Sequence, residues 1–142
     1  FKIGSFGKEH YFMVEIVVDY LGKLVIIFLG ELDGLLYALV IFVVLDYITG
    51  ICAAIQAKHL SSNIGAKGIA KKVAIFLVIS VAHVADQYLV DSTDVLRSMT
   101  TLFYLSNEGI SIFENIGKIG IPLPGKLNNL LSRFEDIKNQ MK

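Results

Sequence analysis

The sequence predicts an all-α integral membrane protein with three to four transmembrane helices, an amphipathic cytoplasmic helix at the C-terminus, and assembly into oligomers. Hydrophobic residues form 54% of the chain and the mean hydropathy is +0.63, whereas soluble globular proteins are roughly 45–50% apolar. These residues are gathered into segments of about 20, the length that spans the hydrocarbon core of a bilayer. Acidic or amide side chains interrupt each segment. Since an ionised group in lipid costs about 2.5–3.5 kcal/mol, such residues are expected to face other helices or water.

The first segment, residues 11–30, allows two interpretations. Glu15, Asp19 and Lys23 recur every four residues, so they form one charged row on a helix, with apolar residues on the opposite face. The segment is then either an amphipathic helix in the membrane interface or a fourth span whose charged row is shielded by neighbouring subunits. Residues 1–34 are therefore assigned to an N-terminal extension with an amphipathic or membrane-spanning helix.

The predicted transmembrane core covers residues 35–120, with spans at residues 35–57, 73–90 and 102–119. Residues 58–72 form a connection with four lysines and no acid, whereas residues 91–97 contain two aspartates and one arginine. Lysine and arginine mark cytoplasmic loops. The basic loop 58–72 and the C-terminus are therefore expected on the cytoplasmic side of the membrane.

The last segment, residues 121–142, is predicted to be a cytoplasmic amphipathic tail. Pro122 and Pro124 end the third span because proline cannot continue the helical hydrogen-bond ladder. Apolar residues then recur at helical spacing among polar ones, namely Leu127, Leu130, Leu131, Phe134, Ile137 and Met141. This helix either packs against the protein or the membrane surface, or binds a dedicated partner.

One face of the first strong span combines an acid with small residues. Its members follow i+3 and i+4 spacing and are Asp46, Thr49, Gly50, Ala53 and Ala54. Small residues let helix backbones approach closely, which favours association in lipid. This face is predicted to be a helix seam, in which Asp46 lies either between subunits or in a hydrogen bond within the subunit, to Tyr88 or Ser80.

The second span carries a polar pair, His83 and Asp86, three residues apart. A proton relay or a metal pair is one interpretation. Two candidate ligands do not make a metal site, so a satisfied polar pair near the outer surface is the preferred interpretation. No metal and no cofactor is expected.

The third span carries the longest polar stripe. Its residues step by three and four positions and are Asn107, Glu108, Ser111, Glu114 and Asn115. They therefore share one helix face, which is predicted to line a pore or to lie between subunits. No nucleophile–base pair, metal-ligand cluster or phosphate loop is visible, which argues against an enzyme. The formal net charge of zero gives no indication of a nucleic-acid partner.

Four motifs in order resemble the toxin secretion/phage lysis holin family. They are D-Y-x-T-G at residues 46–50, a basic L-S-S…G…K-K segment at 60–72, N-E-G-x-S-I-x-E-N at 107–115 and G-x-P-x-P at 120–124. The resemblance covers residues 35–127. It implies a small bacterial membrane protein that accumulates, oligomerises and opens the cytoplasmic membrane.

The resemblance also implies the partners: membrane lipid, further copies of the chain, and an endolysin or large protein toxin that is released. Two other functions stay open from the residues. One is a small oligomeric ion channel or transporter subunit, with His83, Asp86 and Glu108 along the ion path. The other is a membrane scaffold that recruits a secretion partner through its C-terminal helix.

Overall fold

The computed structural model describes the backbone of residues 3–59, 61–90 and 93–140, and the side chains of most of them. These residues form helices joined by short connections, and no strand occurs in the described ranges. The elements are α1 (Ile3–Leu29), α2 (Gly34–Gln56), α3 (Ser62–Ala85), a π-helical turn (Asp86–Val90) that continues α3, α4 (Val95–Lys118) and α5 (Gly125–Gln140). The predicted all-α fold is confirmed.

Two helical stretches are long and apolar enough to cross a membrane, Gly34–Gln56 and Gly65–Leu89. They match the first two predicted spans. Neither α1 nor α4 meets the same criterion, because charged residues interrupt α1 and both charged and amide residues interrupt α4. The third and fourth spans therefore stay predictions.

Helices α2, α3 and α4 form the bundle that places the polar residues. Helix α2 packs most extensively against α4, α4 also contacts α3, and α1 packs along α3. One layer of the bundle is apolar; this apolar layer consists of the buried residues Leu36, Leu39, Val43, Ile75 and Ile79. Phe76, Tyr104 and Leu105 pack around it.

The basic segment 58–72 was predicted to be a loop, but most of it is helix. Helix α3 begins at Ser62, so the connection from α2 is only a few residues long. Alanine and lysine, which recur through this segment, are strong helix formers. The Tyr47 ring of α2 lies alongside Gly65 and Gly68, and this packing supports a helix that the two glycines alone would weaken.

A tight turn joins α1 to α2. Gly30 has φ +78°, a left-handed conformation that glycine adopts without steric cost. Asp33 then caps α2, its Oδ1 accepting a hydrogen bond from the Leu36 N–H at 2.9 Å. At the next connection Asp94 precedes α4, while residues 91 and 92 of the predicted acidic connection lie outside the described residues.

Candidate functional site

Three charged side chains from three helices meet inside the bundle. Lys72 of α3 places its Nζ 2.5 Å from Oδ2 of Asp46 on α2, and it also contacts Oε2 of Glu108 on α4. We name these residues the charge triad. The side chains of Lys72 and Asp46 are each 12% exposed and that of Glu108 is 3% exposed, so all three charged groups lie largely inside the bundle.

Asn115 of α4 extends the charge triad by amide hydrogen bonds. Its Nδ2 donates to Oδ1 of Asp46 at 3.0 Å and lies 3.3 Å from Oγ1 of Thr49. The predicted seam face of α2 and the predicted stripe of α4 therefore meet within one subunit. The expected hydrogen bond from Asp46 to Tyr88 or Ser80 is wrong: the Ser80 hydroxyl donates to the Phe76 carbonyl, and Tyr88 is 82% exposed.

The small residues of the seam lie where α2 approaches α4. A Cβ on Gly50 would stand 3.5 Å from Nδ2 of Asn115, an ordinary van der Waals contact. Ala53 is buried and Ala54 is half-buried. These positions form a close helix–helix contact inside the chain, and a second role between subunits stays a prediction.

The structure divides the predicted stripe of α4 into two parts. Glu108 is buried and contacts Lys72 of α3, and Asn115 is half-buried and contacts Asp46 of α2. Ser111 is half-buried and lines a cavity together with Asp46 and Lys72. Asn107 is exposed and Glu114 is half-buried, and both line a groove that α5 borders. Lining of a pore by these residues stays a prediction.

The charge triad places two carboxylates against one ammonium group. If all three groups are ionised, it carries a net charge of −1. Desolvation makes a buried ion pair a weak source of net stability, but removing one partner from such a pair typically costs about 3–5 kcal/mol because a charge is left uncompensated. The triad therefore favours one arrangement of α2, α3 and α4 over arrangements that separate them.

A second polar cluster lies at the other end of the bundle and centres on Arg97, which is 3% exposed. Its guanidinium donates from Nε to the Leu29 carbonyl at 2.6 Å, from one terminal nitrogen to Asp33 Oδ2 at 2.9 Å, and from the other to the Glu31 carbonyl at 2.5 Å. These bonds fasten the α1–α2 turn to the start of α4.

The environment of Asp33 shifts its acidity. Burial by itself would raise the pKa of Asp33, but hydrogen bonds from the Leu36 N–H and from Arg97, together with the positive charge of Arg97, outweigh burial. The pKa of Asp33 is therefore held below its usual value of 3.8.

The predicted pair of α3, His83 and Asp86, is buried in this Arg97-centred cluster. Asp86 accepts hydrogen bonds from the N–H groups of Leu96 at 3.1 Å and Arg97 at 2.8 Å. It thereby satisfies two of the unpaired donors in the first turn of α4, a role that Asp94 at the N-cap position does not fill. His83 Nδ1 lies 3.4 Å from Asp94 Oδ1. Among the described residues, no group of three or more His, Cys, Asp or Glu side chains is arranged to hold a metal.

Two basic residues, Lys72 and Arg97, were not singled out as site residues by the sequence analysis. A signal for Lys72 exists, because two carboxylates at membrane depth need a cation and Lys72 is the lysine adjacent to the apolar part of its span. No comparable signal points to Arg97, since two of its three acceptors are main-chain carbonyls. Cys52, the single cysteine of the chain, is exposed on α2 and forms no disulfide within the described residues.

Comparison with known proteins gives a consistent picture. The bacteriophage holin family matches residues 23–136. A 14.9 kDa uncharacterised protein of the nagH 3′ region of Clostridium perfringens is 41% identical over 118 residues, which are 83% of this chain and 89% of the relative. A probable holin of Bacillus phage phi105 is 37% identical over 111 residues, covering 78% of this chain and 81% of that protein. No solved structure matches the chain.

The family match and the two apolar helices agree on a membrane protein. The matched range contains the charge triad, the Arg97-centred cluster and most of α5. Since this range covers most of the sequence, the chain belongs to the bacteriophage holin family.

Proposed function

We propose that this protein is a holin that oligomerises in the bacterial cytoplasmic membrane and opens lesions through which an endolysin or a large protein toxin leaves the cytoplasm. Family membership supports the role, and one structural observation supports the mechanism. The most polar part of α4 is turned against α2 and α3 in the single subunit, where Glu108 is only 2% exposed. A subunit that hides this surface can accumulate in lipid before it opens.

The proposed topology places the membrane core at residues 35–120 with the cytoplasm at its basic end. Lys58, Lys67, Lys71 and Lys118 lie toward that end of the bundle, whereas Asp33 and Asp94 lie at the other. Helix α4 has 24 residues and a length of roughly 36 Å, enough for a core of about 30 Å. Its extensive packing on α2 supports a third span, and residues 121–142 then form a cytoplasmic tail.

For α1, the structure favours the fourth-span alternative. Leu21, Leu24, Val25 and Phe28 line an apolar groove with residues of α3, and the C-terminal end of α1 is held by Arg97. Asp19 and Lys23 form a 2.8 Å salt bridge whose side chains are 63% and 68% exposed. In lipid this pair requires a covering surface, which a neighbouring subunit would provide.

Opening, in this proposal, separates α4 from α2 and α3 during assembly. The charge triad then breaks, and Glu108, Ser111 and Asn115 come to line the lesion. Asn107 and Glu114, which already border an open groove, lie on the edge of the same polar surface. The change replaces contacts within a subunit by contacts with water and with other subunits.

Timed expression in a bacterium that carries a cytoplasmic endolysin tests the proposal. The native chain should cause an abrupt loss of membrane potential and release of a folded cytoplasmic reporter protein. Glu108→Gln keeps the shape but weakens the bond to Lys72, so the onset should come earlier. Glu114→Gln makes the same chemical change six residues further along α4, outside the charge triad, and serves as the matched control.

The outcomes separate the alternatives. Loss of potential without release of the reporter would contradict the holin function and indicate a narrow channel. Intact potential throughout, with lysis absent, would indicate a scaffold. If the onset of lysis in Glu108→Gln were unchanged and equal to that in Glu114→Gln, the charge triad would not control opening, although the protein could still be a holin.

A further inference from the structure

A polar crevice enters the bundle from its basic end. Its inner part is a cavity of about 220 Å³ lined by the side chains of Asp46, Lys72, Ser111 and Asn115 and by the small residues Gly50, Ala54, Gly65 and Gly68. A second cavity of about 510 Å³ adjoins it and is lined by Ala53, Ala57 and Lys118, with Gly50, Ala54 and Asn115 common to both. The shared lining makes one path from the end of α2 to the charge triad.

The crevice has the size and chemistry to hold water. A single water molecule needs roughly 15 Å³ of such a cavity together with two to four polar partners. The inner cavity exceeds that volume many times over. A carboxylate, an ammonium, a hydroxyl and an amide supply the partners, and the small residues leave room for the cavity beside the Tyr47 ring.

The bundle is closed on the side of the charge triad that faces the Asp33 end, while Glu108 and Ser111 also line the lateral groove that α5 borders. Along α2 and α3 the next buried residues toward the Asp33 end belong to the apolar layer, namely Val43, Leu39 and Leu36 on α2 and Ile75 and Ile79 on α3, and the partly buried Tyr104 and Leu105 of α4 pack against them. The five residues of the apolar layer are at most 9% exposed. Beyond them the Arg97-centred cluster joins α1, α2 and α4.

We infer that the crevice is a water-filled path that brings aqueous solutes to the charge triad from the basic end only, and that the apolar layer seals the bundle on the opposite side. The inference rests on the membrane placement proposed above. The inference identifies the apolar layer as the barrier to water: along α2, water reaches Gly50 but does not reach Val43. Opening a lesion then requires that the residues of the apolar layer separate from one another. Entry of water to the charge triad is not an additional step, because water is already present there.

Single cysteines along α2 test the inference in membranes that contain the full-length protein with Cys52→Ala. Ala57→Cys, Ala54→Cys and Gly50→Cys follow the crevice inward, and Val43→Cys lies in the apolar layer. A membrane-impermeant thiol reagent is applied to inverted vesicles and to spheroplasts before lysis is triggered. Adduct formation is followed by mass spectrometry.

Ile48→Cys is the matched control because Ile48 lies on α2 between Gly50 and Asp46 and is 51% exposed on the outer surface of the bundle. The reactive species is the thiolate, which needs water. The three crevice positions should react from one and the same face, at rates roughly tenfold or more above those of Ile48→Cys and Val43→Cys. The face from which Ala57→Cys reacts defines the basic end in either orientation of the protein.

Three results would overturn the inference, and they differ in meaning. If Ala57→Cys reacted while the cysteines at positions 50, 54 and 48 did not, the membrane placement would stand but the crevice would be dry. Reaction of Val43→Cys, or of Gly50→Cys from both faces, would show that the apolar layer does not seal. Equal reaction rates of Ile48→Cys and Gly50→Cys would contradict the proposed position of the bundle in the membrane. The Ala54→Cys variant guards against a local disturbance of Asn115 by the Gly50 substitution.

Discussion

Removal of the Lys72 ammonium is the sharpest test of the charge triad. Lys72→Met preserves most of the side-chain length and its apolar stem but leaves Asp46 and Glu108 with no cation. Two unit charges about 4 Å apart interact by roughly 4 kcal/mol at an effective dielectric constant of 20. The loss of one partner from a buried ion pair typically costs about 3–5 kcal/mol. Both estimates predict destabilisation by about 4 kcal/mol, which is nearly a thousandfold in the folding equilibrium.

The measurement is the free energy of unfolding of the purified protein in mild detergent, by denaturant titration followed by circular dichroism. Lys71→Met is the matched control, because Lys71 is adjacent and exposed, and its loss should change the free energy of unfolding by less than about 0.5 kcal/mol. The triple change Lys72→Met, Asp46→Asn and Glu108→Gln should recover most of the loss, since neutral groups replace the unpaired charges.

In cells, Lys72→Met should advance the onset of lysis, because the closed arrangement of α2, α3 and α4 is weakened. The reasoning would be refuted if Lys72→Met unfolded no more easily than Lys71→Met. It would be refuted equally by a triple variant less stable than the single one, since the uncompensated charges would then not be the cause.

Three further predictions concern the cluster around Arg97. Gly30→Ala should destabilise the protein by about 1–3 kcal/mol, because a Cβ at φ +78° would lie 2.9 Å from the His83 ring. Gly22→Ala is the control: its Cβ would meet nothing within 4 Å, so this substitution should stabilise α1 by about 0.5–1 kcal/mol. Since the pKa of Asp33 is lowered in the folded protein, the stability it adds is present above its usual pKa of 3.8 and is lost as the pH falls through the folded value. The melting temperature in detergent should show this acid-side component in the native chain and not in Asp33→Asn. Asp86→Ala should cost about 1–2 kcal/mol and speed hydrogen exchange at the Leu96 and Arg97 amides, because the first turn of α4 loses its acceptor; unchanged exchange there would contradict the capping role.

The positions of the helices could largely be predicted from hydropathy and helix breakers. The first span was predicted at residues 35–57 and is helix at Gly34–Gln56, because an uninterrupted apolar run defines its own limits. The polar stripe of α4 followed from spacing alone. Its buried part then had to face some polar surface, but spacing does not say whether that surface belongs to the same subunit, to another copy, or to water.

The error at residues 58–72 has a physical cause. Lysines and glycines together suggest a solvated loop, yet lysine is also a good helix former. The decisive contacts come from Tyr47, which is distant in sequence. The same long-range packing turns Lys72 inward to Asp46 and Glu108, 26 and 36 residues away. Local patterns carry no information about such pairings, which is why the partner of Asp46 was mispredicted.

The contacts of Arg97 have a consequence for how substitutions in this region can be tolerated. Two of its three acceptors are peptide carbonyls, at Leu29 and Glu31, and every amino acid supplies that oxygen. Side chains at those two positions are therefore free to change without altering the bond, whereas Asp33 supplies its carboxylate directly. Correlated substitution should thus link position 97 to position 33, and to neither of the positions whose carbonyls accept from Arg97 in the turn. Lysine, with a single nitrogen instead of a planar fork, would be a poor replacement for Arg97 even though it preserves the charge.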